Sequence, residues 1–463
     1  MPQPNLLFVF ADQMRRFDMG CAGNPQVRTP NMDRLASEGL MATQAIANCP
    51  VCTPSRATML TGRYPLAHRA VANDLPLPTD VPGIGTLARQ AGYRTGYIGK
   101  WHLDGVPRDR FTPPGPRRHG FDYWAVWNCS HQYFDARYYR DTPDPIPIDG
   151  YEPVAQTELA LQFLAQRDDR PFCLFVSWGP PHAPWDEANV PAEYLYDPER
   201  LTLRGNVRDL ASTTNDRARA FGPARCVAYY YAAITALDDQ LGRLLAGLDE
   251  LGLAQDTIVV FTSDHGDMLF SQGWLKKQHP FEESVGIPFL LRWPAHVPAG
   301  LTTGALLDTA SFAPSLLTLM QLTPDGGMQG DDLSAVMLGE ANAGPSAVPI
   351  MDVVAVDESV AQGLREWRGV RTTTHTYARW LDGEPWVMFD NATDPLQMHN
   401  LIDDKASQSL RKQLAARTDA WMDRLGDPGH AWDRVIRELG LTDVWNARVT
   451  ELPWGRRPEP LEP

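Results

Sequence analysis

Reactive side chains concentrate in Cys52-Thr53-Pro54-Ser55-Arg56, followed by Ala57-Thr58-Met59-Leu60-Thr61-Gly62-Arg63. The stretch predicts a cysteine placed just before a helix. Thr53 suits the N-cap, and Pro54 suits the first helical position, where a missing N–H costs nothing. A side chain there faces free backbone N–H groups and the positive end of a helix dipole, a setting that favours an anion.

Further groups with chemical potential lie at predicted strand ends. The apolar run Asn5 to Ala11 leads to Asp12-Gln13, and Thr257 to Thr262 leads to Ser263-Asp264-His265-Gly266-Asp267. Carboxylate oxygens from two such ends favour a hard divalent cation such as Ca²⁺ or Mg²⁺, while an imidazole leans toward Mn²⁺ or softer ions. Read alone, an Asp after a strand is a turn or a helix cap. In Gly99-Lys100-Trp101-His102 a cation and a titratable base stand two apart, which on an extended chain points them the same way. A surface Lys beside a partly buried His fits the same residues. Pro181-His182-Ala183-Pro184 holds a histidine between prolines, rigidly enough for a catalytic acid or simply for a tight loop. Lys276-Lys277 on its own reads as solvated surface.

The elements that must position these groups alternate strand and helix. Asn5–Ala11 reads as a strand buried on both faces, Phe172–Trp178 as a buried strand, Thr257–Thr262 and Pro288–Trp293 as apolar strands, and Tyr93–Ile98 as a further strand. Helices are expected from Thr29 to near Gly39, over 153–167, from Cys226 to Leu251 and over Ala310–Met320. The Cys226 helix carries a core stripe at Ile234, Leu237, Leu241, Leu244, Leu245 and Leu248. The expected fold is α/β, a large, mostly parallel sheet flanked by helices. Segment 104–150 reads as long loops, in which Trp124, Trp127, His131 and Tyr133 are candidates for a sugar-binding wall or for packing beneath a loop. Segment 196–222 reads as a polar lid. A Gly-, Pro- and Asp-rich passage near 324–348 divides a domain at 1–345 from an α+β subdomain at 346–463. That subdomain has strands within Arg368–Trp380 and at Trp386–Asp390, a helix over Ala406–Leu425, and a Pro-rich tail expected to lie extended on the surface or on a partner subunit.

The chain has 463 residues and a net charge of −15. That balance argues against nucleic acid as a partner but not against a small anion in a locally basic pocket. No apolar run of about 18 residues exists, so no membrane span is expected. The N-terminal segment reads as a first strand and not as a signal peptide, which implies a cytoplasmic protein, or a periplasmic one had a signal been removed. Six cysteines in a chain this long are not a disulfide framework. Cys49 and Cys52 form a Cys-x-x-Cys, but no second pair completes a zinc site, and a redox pair would not need the Pro-Ser-Arg that follows.

Taken in order, these pieces resemble the formylglycine-dependent sulfatases of the alkaline phosphatase superfamily. The resemblance rests on the Asn5–Asp12 opening, Cys-x-Pro-Ser-Arg with Leu60-Thr61-Gly62-Arg63, Gly99–His102, Pro181–Pro184, Ser263–Gly266, Lys277 with Glu282-Glu283-Ser284, and Phe389-Asp390-Asn391-Ala392-Thr393-Asp394-Pro395. It implies an alkaline phosphatase-like catalytic sheet with a smaller antiparallel sheet behind it. It also implies that a maturing enzyme converts Cys52 to formylglycine (3-oxoalanine), whose hydrate attacks sulfur and passes through a sulfo-enzyme hemiacetal. Asp12, Gln13, Asp264, His265 and the modified Cys52 would hold one divalent metal, Ca²⁺ first, with Mn²⁺ or Mg²⁺ as alternatives. Arg56 and Lys100 would brace the hydrate, and His102 would be the base that opens the hemiacetal. His182 and Lys277 would bind the sulfate and assist the leaving group.

The expected substrate is an organic sulfate ester, in particular a sulfated sugar, and a homo-oligomer is an open possibility. Two positions depart from the commonest pattern of the family: Gln13 replaces an Asp, and His265 replaces an Asn. Both resemble the branch that contains phosphonate monoester hydrolases and some bacterial sulfatases, so a phosphonate monoester or phosphodiester hydrolase with the same nucleophile is the alternative enzyme. An inactive glycan-binding relative is the alternative from another class.

Overall fold

The computed structural model describes residues 3–166, 168–210, 216–452 and 460–462. Among them the largest element is a nine-stranded sheet. Its strands are β1 (Asn5–Asp12), β2 (Leu40–Ile46), β3 (Arg94–Lys100), β4 (Tyr123–Trp127), β5 (Phe172–Pro181), β6 (Thr257–Ser263), β7 (Gly286–Ile287), β8 (Phe289–Arg292) and β9 (Leu301–Asp308). The order is β9-β2-β8-β6-β1-β5-β3-β4, with β7 on β2. The central run β6-β1-β5-β3-β4 is parallel, while β8 runs antiparallel to both its neighbours.

The uninterrupted apolar run of β1 follows from burial on both faces. Leu6, Phe8 and Phe10 face one core, and Leu7, Val9 and Ala11 the other. The first face is covered by α2 (Cys52–Thr61) and α5 (Thr309–Leu319), the second by α1 (Pro30–Ser37), α3 (Glu152–Ala165) and α4 (Asp216–Glu250). The stripe Ile234, Leu237, Leu241, Leu244, Leu245 and Leu248 on α4 is fully buried. Beyond the large sheet, β10 (Ala347–Asp352), β11 (Trp367–Thr372), β12 (His375–Trp380) and β13 (Pro385–Asp390) form an antiparallel four-stranded sheet, with α6 (Gln408–Leu425) against it. Two further helices follow, α7 (Trp432–Glu438) and α8 (Thr442–Glu451).

Several expectations need correction. Segment 104–150 contains an edge strand of the large sheet, β4, which its Pro- and Arg-rich flanks obscured. The strand-like stretch 368–380 is two strands of a hairpin. The segment 196–222 is not one irregular lid, because α4 already begins at Asp216 and is broken at Gly222 before Pro223. Residues 211–215 of that segment and 453–459 of the expected surface arm lie outside the described residues. No helix among the described residues is long and apolar enough to cross a membrane.

Candidate active site

Four neighbouring parallel strands deliver their carboxyl ends to one place, where open α/β sheets bind ligands. Ala11 on β1 pairs with Ser263 on β6, so the next residues on the two strands, Asp12 and Asp264, stand side by side. Asp12 pairs with Pro181 of β5, which brings His182 to the same edge. Lys100 ends β3. Gly99 before it has φ +101°, and a Cβ there would lie 2.0 Å from the Ser177 carbonyl oxygen, so only glycine allows β3 to approach β5 this closely.

Cys52 is itself the first residue of α2, and Val51 is the cap, with its carbonyl accepting from Ser55 N–H. The expected N-cap role of Thr53 is therefore not realised. Its backbone N–H is met instead by Asn73 Oδ1 at 3.0 Å, and its hydroxyl donates to the His102 carbonyl at 2.8 Å. The whole helix is buried, and Cys52 is 1% exposed.

Around Cys52 Sγ the structure gathers Lys277 Nζ at 3.2 Å, His265 Nε2 at 3.2 Å and Asp12 Oδ1 at 3.8 Å. Arg56, one turn along α2, ties the two carboxylates together. Its Nε donates to Asp264 at 2.9 Å, its Nη2 to Asp12 at 3.1 Å and its Nη1 to Ser177 Oγ at 2.8 Å. Lys100 Nζ also donates to Asp12. Burial alone would raise the Asp12 pKa, but Lys100, Arg56 and Lys277 together hold it well below the usual carboxylate range. Burial and Asp12 push the Cys52 thiol up, yet Lys277, Lys100 and His265 outweigh them and drive it well down.

One ligand atom from each of Asp12, Cys52, Asp264 and His265 falls within 4.8 Å of the others, and all four residues are buried. The hydrogen bonds around this cluster suit a cation. His265 Nδ1 faces the Gly266 carbonyl at 2.9 Å, which assigns the proton to Nδ1 and leaves the Nε2 lone pair toward the cluster. Gln13 Nε2 donates to Asp267, which turns Gln13 Oε1 inward, where it accepts from Lys277 at 2.6 Å. Gln13 has φ +71°, a left-handed backbone that a non-glycine residue adopts at a cost.

His102 also has φ +56°, so it is not on the extended chain from which its pairing with Lys100 was expected. The two side chains go to different partners, Lys100 to Asp12 and His102 Nε2 to Asp74 Oδ1 at 2.9 Å. Arg108 grips both oxygens of Asp74, at 2.7 and 2.8 Å. Burial would lower the His102 pKa, but Cys129 and Asp74 raise it to about 10. His182 is held well below its ordinary value by burial and by Lys277 and Lys100. Lys277 is not solvated surface but buried, with Nζ 3.0 Å from His182 Nε2.

A cavity of about 410 Å³ opens onto this cluster, lined in part by Cys52, His102, Arg108, His131, His182 and Lys277. Of the four suggested sugar-wall residues, only His131 lines it. Trp124, Trp127 and Tyr133 are buried packing residues. Sequence reading missed Asp74, Arg108, Asp267 and Ser177, none of which carries a local pattern separating it from a turn or strand residue. Cys49 is buried in a separate apolar cluster, its thiol raised by burial, and is a packing residue.

This α/β sheet with its buried, strand-end polar cluster defines a hydrolase of the alkaline phosphatase-like architecture. The chain belongs to the sulfatase family, whose model matches residues 4–322. A second model, "N-sulphoglucosamine sulphohydrolase, C-terminal", matches residues 271–423, so α7 and α8 lie beyond both. The chain is 36% identical to an ulvan-active sulfatase of Formosa agariphila, over 94% of this chain and 84% of that protein. It is 26% identical to an N-acetylglucosamine-6-O-sulfatase of Bacteroides thetaiotaomicron, over 89% and 85% respectively. The structure of the yidJ protein of Bacteroides fragilis superposes with a TM-score of 0.82 at 29% identity, covering 93% of this chain and 97% of that one. The protein is thus an enzyme of the sulfatase class.

Proposed function

We propose that this sulfatase removes sulfate from a sulfated carbohydrate, using formylglycine made from Cys52. The observation that carries the reading is Cys52 Sγ, buried at a helix N-terminus with Lys277 and His265 each at 3.2 Å. The relatives' activities on ulvan and on N-acetylglucosamine-6-O-sulfate support the carbohydrate class.

Conversion of Cys52 is a two-electron oxidation. With one water, the CH₂SH group becomes an aldehyde, releasing H₂S, two protons and two electrons to an oxidant supplied by a maturing enzyme. The hydrated aldehyde supplies an oxygen nucleophile and a second hydroxyl through which sulfate is later released. Asp12, Gln13, Asp264, His265 and the modified Cys52 would hold one divalent cation, with Ca²⁺ suited to the oxygen-rich donors. Such an ion would offset negative charge on the sulfuryl oxygens.

This chain's own residues then divide the work. Arg56 fixes Asp12 and Asp264 side by side and offsets their negative charge. Lys100 and Lys277 present ammonium groups to the transferring sulfuryl, the electrostatic contribution that usually dominates such reactions. His182 passes the proton that Lys277 shares with it to the leaving oxygen. His102, oriented by Asp74, takes the proton from the second hydroxyl. Residues 1–345 form the catalytic domain in this reading, and 346–463 the subdomain behind it.

Two measurements test the proposal. Mass spectrometry of the Cys52 peptide from protein co-expressed with a maturing enzyme should show loss of sulfur and gain of an aldehyde; an unmodified cysteine with full turnover would sink the mechanism. A panel of sulfated mono- and oligosaccharides run beside an aryl phosphonate monoester should show the higher kcat/KM on sulfate. Preference for the phosphonate would replace the substrate assignment.

A further inference from the structure

His131 has no role in the chemistry above, yet it touches two of its residues. Its ring stacks on His182 with centroids 4.1 Å apart and planes 11° from parallel. Its Nε2 lies 3.3 Å from Lys100 Nζ. A lysine ammonium has donors and no acceptor, so Lys100 donates to His131 Nε2, which accepts. The site therefore contains two lysine–histidine pairs, Lys277 with His182 and Lys100 with His131, whose imidazoles lie face to face.

The loop that carries His131 supports the other catalytic groups through its backbone neighbours. The single Tyr133 O–H donates to the His182 carbonyl at 2.9 Å, with the Gly179 carbonyl 3.2 Å away. The Asn128 carbonyl accepts from His102 N–H at 2.6 Å. Segment 128–133 thus grips His182 by ring and backbone, Lys100 by its ammonium and His102 by its amide.

We propose that His131 is a positioning residue that holds the Lys100 ammonium and the His182 ring in register beside the catalytic cavity. The proposal rests on the roles given to Lys100 and His182 above. Without the stack, His182 loses its fixed plane, and proton delivery to a poor leaving group suffers. Without the acceptor, Lys100 settles on Asp12 alone and is less available to the sulfuryl oxygens.

Three variants separate these effects. His131→Ala removes both contacts, His131→Phe keeps the ring against His182, and His131→Asn keeps an acceptor for Lys100. On an alkyl or sugar sulfate, His131→Ala should lower kcat/KM by about 100-fold. On 4-nitrophenyl sulfate, which needs no proton, the loss should be about tenfold. His131→Phe should restore the alkyl-to-aryl ratio while leaving both rates reduced. His131→Asn should restore the aryl rate but not the ratio.

Calorimetry with inorganic sulfate on the protein retaining Cys52 should show binding weakened about tenfold by His131→Ala, with His131→Asn closer to wild type. Equal losses on both substrates, a ratio that ignores the variant, or unchanged sulfate binding overturns the proposal. An inactive wild type that still shows the sulfate-binding difference overturns the functional reading and not this one.

Discussion

Lys277 Nζ donates to His182 Nε2 across 3.0 Å, while His182 Nδ1 faces the Ala183 carbonyl at 2.6 Å. The resting His182 is therefore neutral, with its own proton turned away from the nucleophile. The proton available to the leaving group sits on Lys277. Replacing Lys277 with Ala removes both that proton and a cation beside position 52. Its kcat/KM should fall by about 100-fold or more for every leaving group. His182→Ala should be selective instead, costing about 100-fold on alkyl sulfates but far less on aryl sulfates. A Brønsted plot over aryl sulfates of graded leaving-group pKa checks this: the slope should steepen for His182→Ala, and an unchanged slope would assign proton delivery elsewhere.

Against burial, Cys129 and then Asp74 raise the His102 pKa to about 10. A base works only when neutral, so the step that uses His102 should accelerate as pH rises through its pKa. Asp74→Asn removes the anion and weakens the neutralisation of the neighbouring Arg108 cation. Both changes lower the His102 pKa. The ascending limb of the kcat–pH profile should then move to lower pH, by about one unit or more. A limb that stays in place, or moves up, would exclude His102 as the titrating base.

The parts of this site that could be read from sequence share a physical property. Asp12 and Asp264 follow runs whose burial on both faces leaves a continuous apolar signature, so the strand end marks the site. Asp74 and Arg108 lie in loops, where three-dimensional proximity and not periodicity brings them to the site. The same limit explains the tryptophans. Trp124 and Trp127 belong to an edge strand with an apolar covering, and nothing in their spacing distinguished that from a sugar platform. At position 53 the sequence fitted a local cap, whereas Asn73, twenty residues on, supplies the acceptor.

Glu152 is 5% exposed, and burial pushes its pKa from 4.5 to about 8, against the pull of Lys100. The folded state prefers the protonated acid. The stability this contributes is fully present below about pH 4.5 and is lost as pH rises toward 8. Glu152→Gln keeps an acceptor for Gln156, which donates to Oε1 at 2.9 Å, and removes the cost of ionisation. Thermal unfolding should show little difference at pH 4.5 and a more stable variant at pH 8, by about 1 kcal/mol or more. A variant destabilised equally at both pH values would mean that the carboxylate is needed for packing and not tolerated at a cost.

Arg448 on the last helix, α8, is fully buried and reaches the catalytic wall from the far end of the chain. Its Nε donates to the Asn73 carbonyl at 2.8 Å, and its Nη2 pairs with Asp357 at 2.8 Å. Asn73 meets the N–H of Thr53 beside the nucleophile, and Asp74 orients His102. One arginine thus fixes the loop that serves both ends of the site. Arg448→Ala takes the donor from the Asn73 carbonyl and one of the cations beside Asp357, and should cost about 2–3 kcal/mol. That loss alone would not separate support of the site from support of the fold. Arg448→Lys is the sharper test, because it keeps the charge but cannot make both contacts at once. With unfolding within about 1 kcal/mol of wild type, its kcat should still fall by about tenfold with little change in KM. A lysine variant with wild-type kcat would confine Arg448 to stability.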